Sequence, residues 1–99
     1  METWTREQWE STLQQSAAAV YYLYTPMCGT CAVASKMMDV ISVMRPDMPI
    51  GKADLNYVQE LAVRYEIESV PCLLIQKDGR IQEKIYAFQS VPYLLERID

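Results

Sequence analysis

Four consecutive residues carry most of the chemistry in this 99-residue chain: Cys28, Gly29, Thr30 and Cys31. Two thiols separated by two residues fall on one turn of a helix, close enough to bond to each other. A thiolate on one can attack a disulfide elsewhere, and the other thiol can then resolve the mixed disulfide. The second use of such spacing is metal binding, which takes four ligands in a structural zinc site. Here there is one CxxC, a distant Cys72 and no histidine. A zinc or iron–sulfur centre would therefore have to be shared between two chains. The lack of histidine also removes the usual general base. Three cysteines are an odd number and make no disulfide framework; in a reducing compartment a close pair is more often catalytic or metal-binding than structural.

The elements around the motif decide between these uses. Thr5, with Gln8 three residues on, forms a capping box for a first helix, and Trp9 and Leu13 share its buried side. Ala17 to Tyr24 is a nearly continuous apolar run, bounded by Thr25-Pro26, and suits a strand buried on both faces. After the CxxC the period changes. Val33, Met37, Val40, Ile41 and Met44 form one stripe of an amphipathic helix that ends at Arg45-Pro46, with Met37, Met38 and Met44 expected in the core. Ile50 to Leu55 reads as a strand, and Val58, Leu61, Ala62 and Tyr65 as a helix. Cys72 to Lys77 is a second buried strand, Asp78-Gly79 a hairpin turn, and Arg80 to Tyr86 a more polar returning strand. Val91, Leu94, Leu95 and Ile98 mark the last helix.

The order α-β-α-β-α-β-β-α predicts an α/β fold in one domain over residues 1–99. A parallel βαβ unit is followed by an antiparallel hairpin. The expected result is a mixed four-stranded sheet with helices on both faces, in three layers.

This order places the CxxC just after a strand, at the first turn of a helix. The partial positive charge and free N–H groups of a helix N-terminus stabilise a thiolate on Cys28 and lower its pKa below about 8.5. Gly29 lets the backbone turn and keeps Cys28 open to a partner. Cys28 is then the attacking thiol, and Cys31, one turn deeper, the resolving one. The competing reading is a redox-inactive binding module in which both cysteines simply pack.

Nine basic residues against thirteen acidic ones leave a net charge of -4, which argues against nucleic acid or an anionic membrane as partner. The N-terminal residues show no basic start followed by an apolar run, and Ala17 to Tyr24 is too short to span a bilayer. A cytoplasmic location is the expectation.

The chain resembles the thioredoxin family from about Ala17 to Ile98. The resemblance rests on Pro26-Met27-Cys28-Gly29-Thr30-Cys31, Lys52-Ala53-Asp54-Leu55-Asn56, Tyr65-Glu66-Ile67-Glu68-Ser69-Val70-Pro71 and Lys77-Asp78-Gly79-Arg80. It implies the thioredoxin fold and a protein thiol–disulfide oxidoreductase without cofactor. Carried over, Pro71 is a cis proline facing the CxxC, and Val70 offers its backbone to an extended substrate as an added strand. Met27, Gly29 and Thr30 complete the substrate contact, Met27 as a flexible apolar surface. The implied partners are disulfide-containing proteins and a thioredoxin reductase or other dithiol donor, with the chain acting as a monomer or weak dimer. Oxidant members of the superfamily carry a histidine inside the CxxC; its absence here points to the reductant side.

The departures from the family are specific. Met27 stands where a tryptophan is usual, Thr30 where proline is, Lys36 where a helix-kinking proline is, and Ala87 where a glycine follows the last strand. The first edge strand is expected to be missing. Tyr22 occupies the place of a buried acid thought to take the proton of the resolving cysteine, which leaves either no base or a neighbour such as Asp54. Glutaredoxin, the nearby alternative, would want Gly-Gly and an acidic pair where this chain has Ala87-Phe88-Gln89-Ser90. Cys72 is open to two readings, a buried structural cysteine or a third redox thiol.

Overall fold

In the computed structural model, which describes residues Met1–Asp99, helix α1 (Arg6–Gln15) starts where the capping box places it. The Gln8 amide donates to Thr5 Oγ1 at 3.1 Å and the Thr5 amide to Gln8 Oε1 at 2.8 Å. The elements that follow are strand β2 (Ala18–Tyr24), helix α2 (Gly29–Met44), strand β3 (Ile50–Asp54), a 3-10 turn (Leu55–Tyr57) and helix α3 (Gln59–Arg64). Strands β4 (Cys72–Lys77) and β5 (Arg80–Ile85) form the hairpin, and helix α4 (Val91–Ile98) closes the chain. The Asp78-Gly79 turn places Gly79 at φ +81°, a region in which a side chain is strained.

The sheet has five strands rather than four. A two-residue strand β1 (Glu2–Thr3) lies parallel to β3 on the outer edge, and the order is β1-β3-β2-β4-β5. Both residues are exposed, so no buried alternation marks them in the sequence. Backbone pairing and one large side chain hold them instead. The Trp4 amide donates to the Lys52 carbonyl at 2.8 Å. The Trp4 indole packs directly against Gly51, where any Cβ would clash with the ring. Trp4, Trp9 and Tyr21 stack in sequence beneath α1, so Trp4 belongs to the core.

The α/β/α layering is as expected. Alternate residues of β2 face opposite cores. Val20 and Tyr22 join Ala34, Met38 and Ile41 of α2 and Leu94 and Ile98 of α4. Tyr21 and Leu23 join Trp9 of α1 and Leu61 of α3. The period-2 strand between two helical layers produces this division.

The buried side of α2 agrees with the sequence expectation at Met38 and Ile41 and departs from it at the other positions. It consists of Cys31, Ala34, Met38 and Ile41. Val33, Val40 and Met44 are 58%, 48% and 54% exposed, and Met37 is half-buried. The helix carries two apolar stripes side by side, both with helical spacing. Contact with the sheet selects the one that includes Cys31, and this turns Cys31 inward.

Candidate active site

Strand β2 ends at Tyr24, and Thr25-Pro26-Met27 turn the chain into α2. Cys28 is the N-cap of that helix, in extended conformation at φ -92°, ψ 111°. Its sulfur accepts from the Cys31 amide at 3.2 Å, so it satisfies one of the amides that every helix start leaves free. The Thr30 hydroxyl lies 3.4 Å from the same sulfur. Cys28 and Cys31 are joined as a disulfide, with Cα atoms 5.3 Å apart. Cys28 remains partly open to solvent, whereas Cys31 is 3% exposed.

The Val70-Pro71 peptide bond is cis, and the Val70 carbonyl oxygen lies 3.7 Å from Cys28 Sγ. The loop before β4 therefore meets the start of α2 across a cleft of about 470 Å³. Thr30, Val33 and Met37 form its α2 wall, Val70 and Pro71 its floor, and the segment from Tyr86 to Gln89 the far wall. No charged residue lines it. Phe88 and Gln89 carry no signal of this role in the sequence, where only Ala87, in the place of a family glycine, marks the segment.

Two residues expected at the substrate surface stand apart from this cleft. Met27 is 95% exposed on the turn and does not line it. Gly29 has nothing within 4 Å of an added Cβ and no left-handed φ, so the turn itself does not require glycine. The empty space there leaves the Cys28 sulfur accessible.

Tyr22 reaches the site from beneath. It is fully buried, and its hydroxyl donates to the Cys31 carbonyl at 3.0 Å. Its single proton is thereby committed, so the Ser35 hydroxyl, 2.8 Å away, donates to Tyr22 Oη. Burial pushes the Tyr22 phenol above its ordinary pKa, only partly offset by the Ser35 hydrogen bond. Asp54, the neighbouring acid, caps a turn. Its carboxylate accepts from the Asn56 amide at 3.0 Å and caps the 3-10 turn, and it pairs in register with Tyr24 rather than Tyr22.

Cys72 follows Pro71 but points into the opposite core, fully buried beside Leu23 and Leu74. Burial pushes its thiol up to about 12, against a smaller opposing pull from Lys84. It is protonated and enclosed at neutral pH. Cys72→Ala is expected to keep most dithiol activity while costing about 1 kcal/mol of stability. A tenfold loss of turnover in a folded variant would instead make Cys72 part of the cycle. No three His, Cys, Asp or Glu side chains lie together in a way that could hold a metal ion.

A family model described as Thioredoxin matches residues 1–99. The thioredoxin-like protein YusE of Bacillus subtilis is 52% identical over 77 residues, which is 78% of this chain and 73% of that protein. The thioredoxin of the same organism is 30% identical over 77% of this chain and 74% of its own length. Among solved structures, a mutant thioredoxin from Halobacterium salinarum superposes with a TM-score of 0.86 at 20% identity, covering 99% of this chain and 86% of the other. Mitochondrial thioredoxin 3 from Saccharomyces cerevisiae, in its oxidized form, gives 0.82 at 22% identity, covering 98% and 91%.

Proposed function

The chain belongs to the thioredoxin family, and from that premise we propose that Cys28 attacks substrate disulfides and Cys31 resolves the product. With its Cys28–Cys31 pair it is a protein thiol–disulfide oxidoreductase. In the reductive direction, the Cys28 thiolate attacks one sulfur of a substrate disulfide and releases the other as a thiolate, which takes up a proton. Cys31 then loses its proton and attacks Cys28 Sγ. The Cys28–Cys31 bond forms, the mixed disulfide breaks, and the second substrate sulfur leaves as a thiolate. Two electrons pass from the dithiol to the substrate. A dithiol donor such as a thioredoxin reductase returns them.

The observation that carries this reading is the position of Cys28 Sγ. It caps α2 and lies 3.7 Å from the Val70 carbonyl oxygen, at the edge of an uncharged cleft. An extended substrate segment pairing with the Val70 backbone brings its own sulfur to Cys28. Pro71 shapes the floor on which that segment lies, and Thr30 the wall beside it. Met27 and Gly29 offer an open apolar approach to the sulfur. We place the protein in the reducing cytoplasm, as a monomer or weak dimer. In support of the location, Cys72 is a free, buried thiol.

Reduction of insulin disulfides with dithiothreitol as electron donor tests the activity. The expected result is turbidity developing well ahead of dithiothreitol alone. A rate equal to that background would leave a redox-inactive binding module.

A further inference from the structure

Three residues other than glycine hold a left-handed backbone: Glu66, Asp78 and Gln89, at φ 53°, 55° and 57°. Local structure accounts for the first two. Glu66 ends α3, where its amide donates to the Val63 carbonyl and the Ile67 amide to the Ala62 carbonyl, a common way for a helix to stop. Asp78 opens the hairpin turn, a place that suits a short acidic side chain. Gln89 instead lies between two anchors. Phe88 is buried edge-on against Tyr22, and Ser90 caps α4, its Oγ accepting from the Tyr93 amide at 3.2 Å. The anchors fix the Gln89 backbone in a conformation that glycine adopts at least cost. The chain has a glutamine there, on the wall of the cleft.

The side chain is the reason to keep it. Most of the cleft is apolar, and its other polar side chains are placed elsewhere. The Tyr86 hydroxyl accepts from the Glu68 amide at 3.2 Å, and the Thr30 hydroxyl lies 3.4 Å from the Cys28 sulfur. The Gln89 carboxamide is exposed and makes no hydrogen bond within the chain. It presents a donor and an acceptor on one planar group, which matches the N–H and C=O of a peptide main chain. On the floor of the same cleft, the Val70 amide also donates to no group of the chain. We propose that Gln89 is a substrate-binding residue whose carboxamide pairs with main-chain groups of the segment that lies along Val70. This rests on the strand pairing at Val70 and adds a second hold on the same segment. Because it grips main chain, it favours peptide disulfides over small ones without selecting a sequence.

The test compares Gln89→Met, which keeps the length and the backbone strain but removes the amide, with Gln89→Gly, which removes both side chain and strain. With insulin as substrate, both should raise KM by roughly three- to tenfold while kcat stays within about twofold, because one ordinary hydrogen bond in binding is lost. With dithiobis-nitrobenzoate, a disulfide that has no peptide group, the rate should stay within about twofold of the parent. Gln89→Gly should also melt about 4 °C above the parent. A Gln89→Met variant with the parent's KM for insulin, an equal loss with the aromatic disulfide, or a Gln89→Gly variant that melts below the parent would overturn the proposal. The pairing beneath it is read separately, from hydrogen exchange in the mixed disulfide of Cys31→Ser with a short cysteine peptide. The Val70 amide should be protected there. An unprotected Val70 amide would contradict the strand pairing itself, and the role of Gln89 would fall with it.

Discussion

Resolution of a mixed disulfide on Cys28 is expected to be slow near pH 7 and to accelerate by at least about tenfold on reaching pH 8.5. The reason is the absence of a base for Cys31. The side chain in the place of the family's buried acid is Tyr22, whose proton is held by the Cys31 carbonyl. Burial raises its pKa from the ordinary 10.0, so it stays protonated across the whole assay range and cannot accept a proton. Asp54 is engaged in capping the 3-10 turn. Cys31 must therefore ionise unaided, and its 3% exposure disfavours the thiolate further. An unassisted thiol with a pKa of about 8.5 is roughly 3% ionised at pH 7 and half ionised at pH 8.5.

The rate is read from release of thionitrobenzoate from a preformed Cys28 adduct between about pH 6 and about pH 9. Tyr22→Phe should keep the shape of this profile, because the hydroxyl anchors and does not transfer a proton. It should cost about 1 to 3 kcal/mol of stability, because the Cys31 carbonyl and Ser35 lose their partner. Tyr22→Asp, where it folds, should raise the rate at pH 7. A flat profile in the parent would mean that an internal base exists, and this reading of Tyr22 would be wrong.

Much of this site can be read from residue order, because its logic is local. A strand, a turn and a helix start are each encoded within a few residues, and together they make Cys28 an N-cap. The Thr5–Gln8 capping box is equally local and forms as expected. What sequence misses depends on packing between distant segments. The two apolar stripes of α2 share Ile41 and are indistinguishable by period, and only contact with Tyr22, Leu73 and Ile75 of the sheet selects the one through Ala34 over the one through Val33, Val40 and Met44. Strand β1 is too short to show a pattern and is held by Trp4 over Gly51. The cis bond before Pro71 follows from the family resemblance, since for an X–Pro bond taken alone the prior is only about 6%. Ser35 and the segment Phe88–Gln89 reach the site through the fold, with no local signal of their own.

The central claim is the unequal pair, with Cys28 attacking and Cys31 resolving, and covalent trapping tests it most directly. The geometry gives the two thiols different access. Cys28 is open at the cleft edge, whereas Cys31 is 3% exposed behind it, and Cys72 is fully enclosed in the other core. Only Cys28 can reach the sulfur of another protein. Cys31→Ser, applied to an oxidised cell extract and run without reductant, is predicted to accumulate mixed disulfides through Cys28 because nothing remains to displace the partner. Cys28→Ser is predicted to trap nothing. Its turnover with insulin should fall by on the order of a hundredfold or more, to the dithiothreitol background. Equal trapping by both variants, or by neither, would contradict the account.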